Sequence, residues 1–107
     1  MKYVLLITSL MATSIPVLAQ NTPQVLDSFE VRAWSGGVFI QPLSPAAINP
    51  DSCLISNSYE INVSNQNNED YMKSVALAAE ISGKQLHVEL NGCVNNRPLV
   101  NGLWIVD

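Results

Sequence analysis

Residues 68–90, NEDYMKSVALAAEISGKQLHVEL, change from a helical pattern to a strand pattern at Gly83. Asn68 is a favourable N-cap, and the acidic residues Glu69 and Asp70 suit the positive end of a helix dipole. Gly83 suits the C′ position, where a left-handed backbone ends many helices. Apolar and polar residues then alternate through residue 90, as in a half-buried strand. The sequence therefore predicts a helix over residues 71–81, followed directly by a strand.

The predicted helix is apolar around most of its circumference. Few polar residues interrupt residues 71–81, so the apolar arc is wider than packing against one sheet requires. Two burial surfaces would account for this width, namely the protein's own core and a second subunit. The predicted contacts in an oligomer interface are Met72, Val75, Ala76 and Ala79.

Three β segments precede the helix and two follow it. The first begins at residue 25, and the glycines before residue 38 turn the chain into a second, residues 38–43. A proline-rich loop, residues 44–51, leads to a third extended segment made of residues 53–55 and 59–63. Residues 85–90 follow the helix as one strand, and after a turn region a last strand is made of residues 99–100 and 103–107.

This order of elements matches the OB-fold, a five-stranded barrel with its helix between strands three and four. A split-βαβ fold also combines few strands with helices, but it needs two comparable helices. We therefore predict a mainly β, OB-like five-stranded barrel with one helix.

The first 19 residues have the pattern of a bacterial secretory signal peptide. Lys2 precedes an apolar run, residues 4–12, and Val17-Leu18-Ala19 provides a cleavage site before Gln20. The run is too short to span a bilayer. A buried N-terminal helix is the alternative, which Pro16 disfavours. We expect one domain, residues 20–107, exported to the periplasm or beyond, with no membrane span after cleavage.

Charge excludes two classes of partner. The chain of 107 residues has 5 Lys and Arg against 9 Asp and Glu, a net charge of −4. Loss of Lys2 with the leader leaves 4 basic and 9 acidic residues, a net charge of −5. The sequence has no Lys/Arg cluster to neutralise phosphates, so binding to nucleic acid or to anionic lipid is not expected.

The two cysteines agree with export. Cys53 and Cys93 are the only cysteines in the sequence, and an oxidising compartment normally closes such a pair into a disulfide. Two cysteines and one distant histidine fall short of the four ligands of a zinc site. We therefore predict a disulfide, and neither a metal nor another cofactor.

The sequence does not indicate an enzyme. His87 is the one histidine, and its alternation with Gln85 and Glu89 places it on a solvated strand face. No nucleophile-elbow, zinc-protease or phosphate-loop motif occurs in the sequence.

Trp34, Ser35 and Gly36 are the candidate ligand contacts. An aromatic ring can stack on a small polar ligand, a hydroxyl can hydrogen-bond to it, and glycine admits close approach. The alternative is that Trp34 packs in the core and the glycines only turn the chain.

Residues 34–40, WSGGVFI, together with the helix 71–81, its stop at residues 82–84 and the strand 85–90, resemble the B subunits of subtilase-cytotoxin-type AB5 toxins. The resemblance covers about half of residues 20–107. It implies an OB-fold, export, a homopentameric ring with helices lining the central pore, and glycan binding beside an A subunit. The family's serine after the aromatic residue contacts a sialic-acid-type sugar, which corresponds to Ser35. A tyrosine on the strand after the helix also contributes there, whereas this sequence has Leu90.

The predicted function is therefore an exported, non-catalytic binding subunit that forms a homo-oligomer and recognises a cell-surface glycan or glycoprotein. The alternative is a periplasmic protein-interaction or inhibitor module with no sugar ligand. A structural domain without a ligand is the third possibility.

Overall fold

The computed structural model of the protein describes residues 20–34, 37–61 and 69–107. The predicted leader, Ser35, Gly36 and the predicted N-cap Asn68 lie outside the described residues. In chain order the elements are β1 (Thr22–Leu26), β2 (Ser28–Trp34), β3 (Gly37–Ser44), β4 (Tyr59–Ile61), α1 (Glu69–Ser82), β5 (Gln85–Val94) and β6 (Arg97–Val106).

The six strands form one sheet, in the order β1-β5-β6-β4-β3-β2. β4 and β6 are parallel, and the other neighbouring strands are antiparallel. The prediction of a mainly β protein with one helix between the third and fourth predicted strands is confirmed in this arrangement.

The number of strands differs from the prediction because the first predicted strand is divided at Asp27. Before this residue, β1 pairs with β5, and after it β2 pairs with β3. The Asp27 N–H donates to the carbonyl oxygen of Ser44 at 2.8 Å, next to the first pair between β2 and β3. The chain thus changes its pairing partner at a single residue, which gives six strands in an open order.

The prediction of an extended segment at residues 53–55 was wrong, since no strand forms there. The Asn49 side chain takes the place of a neighbouring strand. Its Nδ2 donates to the carbonyl oxygen of Cys53 at 2.8 Å, and its Oδ1 accepts the Cys53 N–H at 2.8 Å. A local side chain therefore satisfies the backbone that a sheet would otherwise pair.

β5 and β6 are longer than predicted and form a hairpin across most of the expected turn region. The turn itself is Asn95-Asn96, with φ angles of 51° and 66°. Two successive residues with positive φ match the twist of a two-residue hairpin, and asparagine tolerates this conformation. Gly92, with φ of 79°, accommodates the shift in register between Leu90 and Cys93.

The helix α1 packs against the sheet and ends as predicted. Gly83 has a φ of 69°, and its N–H donates to the carbonyl oxygen of Glu80 at 3.3 Å. The Lys84 N–H donates to the carbonyl oxygen of Ala79 at 3.0 Å. These two bonds make a Schellman motif, which confirms Gly83 at the C′ position.

The core lies between α1 and the inner face of the sheet. Its buried apolar side chains are Leu26, Phe29, Ile40, Tyr59, Ile61, Met72, Ala76, Ala79, Leu86, Val88, Leu90 and Val100. The Tyr59 hydroxyl accepts the Ile48 N–H at 2.8 Å and donates to Oε1 of Gln24 at 2.5 Å. This pair of bonds ties the proline-rich loop to β1.

The predicted disulfide between Cys53 and Cys93 is confirmed and joins residues 40 positions apart. A disulfide is consistent with an oxidising, exported setting. Within the described ranges, α1 does not have the length and apolar content that a membrane-crossing helix needs.

Candidate ligand site

Trp34 lies at the end of β2, on the face of the strand opposite to the core residue Phe29. Its side chain is 44% exposed, so it is a surface residue and does not pack in the core. Ser35 and Gly36, the other two predicted ligand contacts, follow Trp34 directly but lie outside the described residues. Gly37 resumes the chain as the partner of Trp34 in the β2–β3 ladder.

Two further side chains complete an aromatic and cationic cluster at Trp34. Phe39 of β3 meets the Trp34 ring edge-to-face, with ring centroids 6.3 Å apart. Arg97 at the start of β6 places its guanidinium carbon 5.2 Å from the Trp34 centroid and 5.0 Å from the Phe39 centroid. Both distances are within the range of cation–π attraction.

Glu60 lies beneath this cluster on β4. Its neighbours Tyr59 and Ile61 point into the core, so Glu60 points to the opposite face, where it is nevertheless fully buried. Its Oε1 lies 3.6 Å from the Arg97 guanidinium and has no hydrogen-bond partner among the described residues. Its Oε2 accepts a long hydrogen bond of 3.5 Å from Nδ2 of Asn95.

The position of Arg97 is fixed from its other side by Ser58. The Arg97 Nε donates to Oγ of Ser58 at 2.8 Å, and the arginine side chain is only 16% exposed. Burial raises the pKa of Glu60 above its ordinary value, while the Asn95 hydrogen bond and the Arg97 charge act in the opposite direction. The Arg97 guanidinium is thus in contact with two rings, a hydroxyl and a buried acid.

We call this cluster the Trp34 site, which consists of Trp34, Phe39, Ser58, Glu60, Asn95 and Arg97. It offers an exposed ring, an exposed amide and the 16% exposed edge of a guanidinium, which suit stacking on and hydrogen bonding to a polar ligand. Ser58 is buried, so its hydroxyl holds Arg97 and does not face a ligand. In the described part of the chain, no group of three His, Cys, Asp or Glu side chains is arranged to hold a metal ion.

Sequence reasoning identified Trp34 but missed Glu60 and Arg97. Both are brought to the site by pairing of distant strands, since β4 lies beside β3 on one side and β6 on the other. The available signal was a charged residue in each of two otherwise apolar segments, YEI at residues 59–61 and RPLV at residues 97–100. A charge at such a position is seldom buried without a partner.

The four residues predicted to form an oligomer interface lie elsewhere. Met72, Ala76 and Ala79 are buried in the protein's own core, and Val75 packs against it. A side chain that is covered within its own chain cannot contact a second subunit, so the assignment of Met72, Ala76 and Ala79 as interface contacts is corrected. Val75 is only partly buried, and its assignment stays a prediction. The exposed apolar side of α1 consists instead of Tyr71, Leu77, Ala78 and Ile81.

His87 and Leu90 of β5 lie away from the Trp34 site. His87, predicted on a solvated face, is half-buried, with its Nε2 at 2.5 Å from Oε2 of Glu89 and its ring stacked on Trp104. Leu90, which the expected resemblance aligns with the toxin family's tyrosine, is fully buried in the core. It therefore cannot replace that tyrosine as a ligand contact.

A cavity of about 120 Å³ lies at the opposite end of β2, between the end of α1 and the junction of β1 and β2. Its polar lining includes Asp27, Glu80 and Lys84. Glu80 already accepts the Val31 N–H at 3.2 Å, so it has a structural role in holding β2 to the helix.

No protein-family model, curated protein or solved structure gave a significant match to this chain.

Proposed function

We propose that the chain is an exported, non-catalytic binding subunit that recognises a host-cell glycan and assembles as a homo-oligomer. The observation that carries the proposal is the half-exposed Trp34 ring beside Arg97 and Phe39. Ser35 and Gly36 follow Trp34 directly in the sequence, and the proposal includes them as ligand contacts. An indole stacks on the C–H face of a sugar ring, while the guanidinium, amide and hydroxyl bind its oxygens.

The fold is proposed to be a barrel of the OB type. β1 and β2 stand at the two ends of the sheet order, yet one residue, Asp27, joins them. If β1 and β2 are counted as one bent strand, the sheet has five strands, and this strand connects the two ends of the sheet. The parallel pairing of β4 with β6 and the position of α1 between β4 and β5 support this interpretation.

Export is proposed from the predicted leader, residues 1–19, and is supported by the disulfide. The resemblance to subtilase-cytotoxin-type B subunits extends the proposal to a companion A subunit. Neither part of the proposal requires a metal or a cofactor.

A glycan array tests the sugar-binding part. The protein is expected to bind a restricted set of glycans, and Trp34→Ala is expected to weaken binding at least tenfold, because loss of the buried ring contact costs about 1.5–3 kcal/mol. Ser35→Ala is expected to weaken it further. Trp104→Ala, which removes the other half-exposed tryptophan, is the matched control and should leave glycan binding unchanged.

An array without hits, or equal binding by Trp34→Ala and the parent protein, would contradict glycan recognition at this site. Equal loss in the Trp104→Ala control would show that the effect is not specific to the Trp34 site.

Assembly is proposed to use the exposed apolar side of α1. Tyr71, Leu77 and Ile81 are 72%, 47% and 77% exposed, and Leu77 and Ile81 are one turn apart. Apolar side chains exposed in this number on one helix side are typical of a surface that a partner covers.

Light scattering on the protein tests the assembly. We expect an oligomer, and Ile81→Lys or Leu77→Lys should shift it to the monomer, because a lysine would have to be buried without a partner. Leu54→Lys changes an exposed apolar residue outside α1 and is the matched control. A monomeric parent protein would refute the assembly, and one that also binds no glycan would favour the protein-interaction module, for which the same apolar side of α1 is the contact.

A further inference from the structure

The outer face of β1, β5 and β6 carries a second aromatic surface, far along the sheet from Trp34. Val25, His87 and Trp104 lie opposite one another across the three strands, and Pro23, Glu89 and Gly102 form the next row. Trp104 is 50% exposed and Val25 is 39% exposed. We call these six residues the Trp104 face.

The Trp104 ring is held in place from below. The His87 imidazole stacks on it with ring centroids 3.9 Å apart and planes inclined by 12°. His87 is itself fixed by the contact of 2.5 Å between its Nε2 and Oε2 of Glu89. One face of the indole is therefore occupied, and the exposed half of the side chain is presented to solvent at a fixed angle.

The charge around this ring favours a cation. Glu89 lies in the row of residues next to the row that contains Trp104. A second carboxylate, Asp27, lies two residues after Val25, just beyond the end of β1, and is hydrogen-bonded to Gln85. Lys84 and Asp107 form an ion pair of 3.4 Å at the end of the same strands and so cancel each other. With the net charge of −4 for the chain, an anionic ligand would be repelled here.

Gly102 leaves the carboxylate accessible from above. It is paired with Glu89 across β5 and β6, and a Cβ atom built on it would lie 4.0 Å from Cβ and Cγ of Glu89. Because glycine carries no side chain, a group lying against Trp104 can extend over Gly102 to the Glu89 oxygens.

The chain shows the same chemistry at its other tryptophan, where it supplies its own cation. Arg97 lies 5.2 Å from the Trp34 ring and 3.6 Å from the Glu60 carboxylate. At Trp104 a ring and a carboxylate recur, with the ring 50% exposed and the Glu89 side chain 20% exposed beside its contact with His87. A guanidinium or ammonium group placed there would gain both a cation–π contact and a charge-assisted hydrogen bond.

We propose that the Trp104 face binds an arginine or lysine side chain of a protein partner. This contact is separate from glycan binding at the Trp34 site and does not depend on it.

Nuclear magnetic resonance of the ¹⁵N-labelled protein tests the proposal, because the chain has two tryptophans and hence two indole N–H signals. Trp104→Phe assigns them. The probe is a blocked Gly-Gly-Arg-Gly-Gly peptide added at constant ionic strength, and its control is the same peptide with citrulline, which has nearly the shape of arginine but no charge. We expect the arginine peptide to shift the Trp104 signal saturably and the Trp34 signal little.

We expect the citrulline peptide to bind the parent protein about threefold more weakly than the arginine peptide does. We expect the arginine peptide to bind Glu89→Gln about threefold more weakly than it binds the parent protein. Both losses have the size of an exposed cation–π or ion-pair contribution. Glu30→Gln removes a carboxylate that pairs with Arg32 on β2, and should leave the affinity unchanged.

Equal shifts by the arginine and citrulline peptides, or an unchanged affinity in Glu89→Gln, would overturn the proposal. The proposal would also be overturned if a neutral methyl glycoside shifted the Trp104 signal saturably and the arginine peptide did not. That result would make this face a sugar site. Glycan binding at the Trp34 site is read separately from the array, so the two proposals can fail independently.

Discussion

Glu60 is a carboxylate that is fully buried and incompletely hydrogen-bonded. Burial of a charge without full compensation is costly, and such residues are commonly retained because they position a neighbour. Here the neighbour is Arg97, whose guanidinium lies between Glu60, Ser58 and two aromatic rings. Glu60 therefore helps to hold Arg97 in position at the Trp34 site, although it is buried and does not itself face a ligand.

Glu60→Gln is expected to change how stability depends on pH. Because burial raises the pKa of Glu60, the folded protein holds this proton more tightly than the unfolded chain. The free energy of unfolding should therefore fall as pH rises above about 4.3, the ordinary glutamate pKa, and level off above the folded-state pKa. The variant cannot ionise and should lack this fall. Urea denaturation at a series of pH values measures it.

The exposed Glu30→Gln controls for loss of one carboxylate. If Glu60→Gln and the parent protein gave parallel pH profiles, Glu60 would not be the group responsible. A loss of stability in Glu60→Gln that is the same at every pH would instead reflect the lost contact with Arg97.

Individual residues of the site were predictable only in part. Trp34 could be identified because a ring followed by serine and glycine is a local pattern in the chain. Glu60 and Arg97 could not, because their meeting depends on β4 and β6 being neighbours, and no local pattern encodes that pairing.

The helix α1 illustrates what a local pattern can and cannot determine. Its end at Gly83 follows from backbone chemistry and was predictable, whereas the side that faces the core was not. When a helix is apolar around nearly all of its circumference, the sequence does not indicate which side faces the core. Met72, Ala76 and Ala79 were therefore expected to contact a partner, but they lie in the core. Tertiary packing against the sheet selects the inner side.

Gly83→Ala should destabilise the protein by about 1–2 kcal/mol, the cost of a left-handed conformation for a residue with a Cβ atom. No atom lies within 4 Å of a Cβ built there, so the cost would come from backbone strain and not from a clash. Thermal or urea unfolding measures the change.

Gly102→Ala is the matched control. Gly102 is not among the described glycines with positive φ, and its added Cβ would make an ordinary contact of 4.0 Å. Equal destabilisation by the two variants would mean that the positive φ of Gly83 is not the cause.

At the scale of the whole molecule, the disulfide joins Cys53, two residues after the proline-rich loop, to the end of β5. Two hydrogen bonds reinforce the same connection: Gly92 N–H to Oδ2 of Asp51 at 2.7 Å, and Ile55 N–H to the carbonyl oxygen of Asn96 at 2.7 Å. The loop is therefore attached at several points, and the covalent one was predictable from the count of cysteines.

The double variant Cys53→Ala/Cys93→Ala should lose about 4 kcal/mol of unfolding free energy, because a crosslink across 40 residues restricts the unfolded chain. Denaturation with guanidinium chloride, with and without reductant, measures the loss. Reductant should destabilise the parent protein to a similar extent and leave the double variant unaffected. A negligible loss would show that the hydrogen bonds alone hold the loop.

The strand content of the chain was predictable from alternation, but the change of partner at Asp27 was not. Alternation reports which residues face inward, but its phase changes near Asp27, since Leu26 and Phe29 are three residues apart and both are buried. The neighbour of each strand is set by the arrangement of the whole sheet, in which β1 lies beside β5 and β2 lies beside β3.

The place of β6 in the sheet has a consequence for the time order of folding. Within the sheet, β6 alone joins the pair β1 and β5 to the group β4, β3 and β2. During synthesis on the ribosome, residues 97–106 emerge after every strand they connect. Until then, two incomplete half-sheets expose unpaired backbone edges that can pair with other chains. A chain that still lacks β6 is therefore expected to aggregate more readily than the complete chain, wherever on the proposed export route it folds.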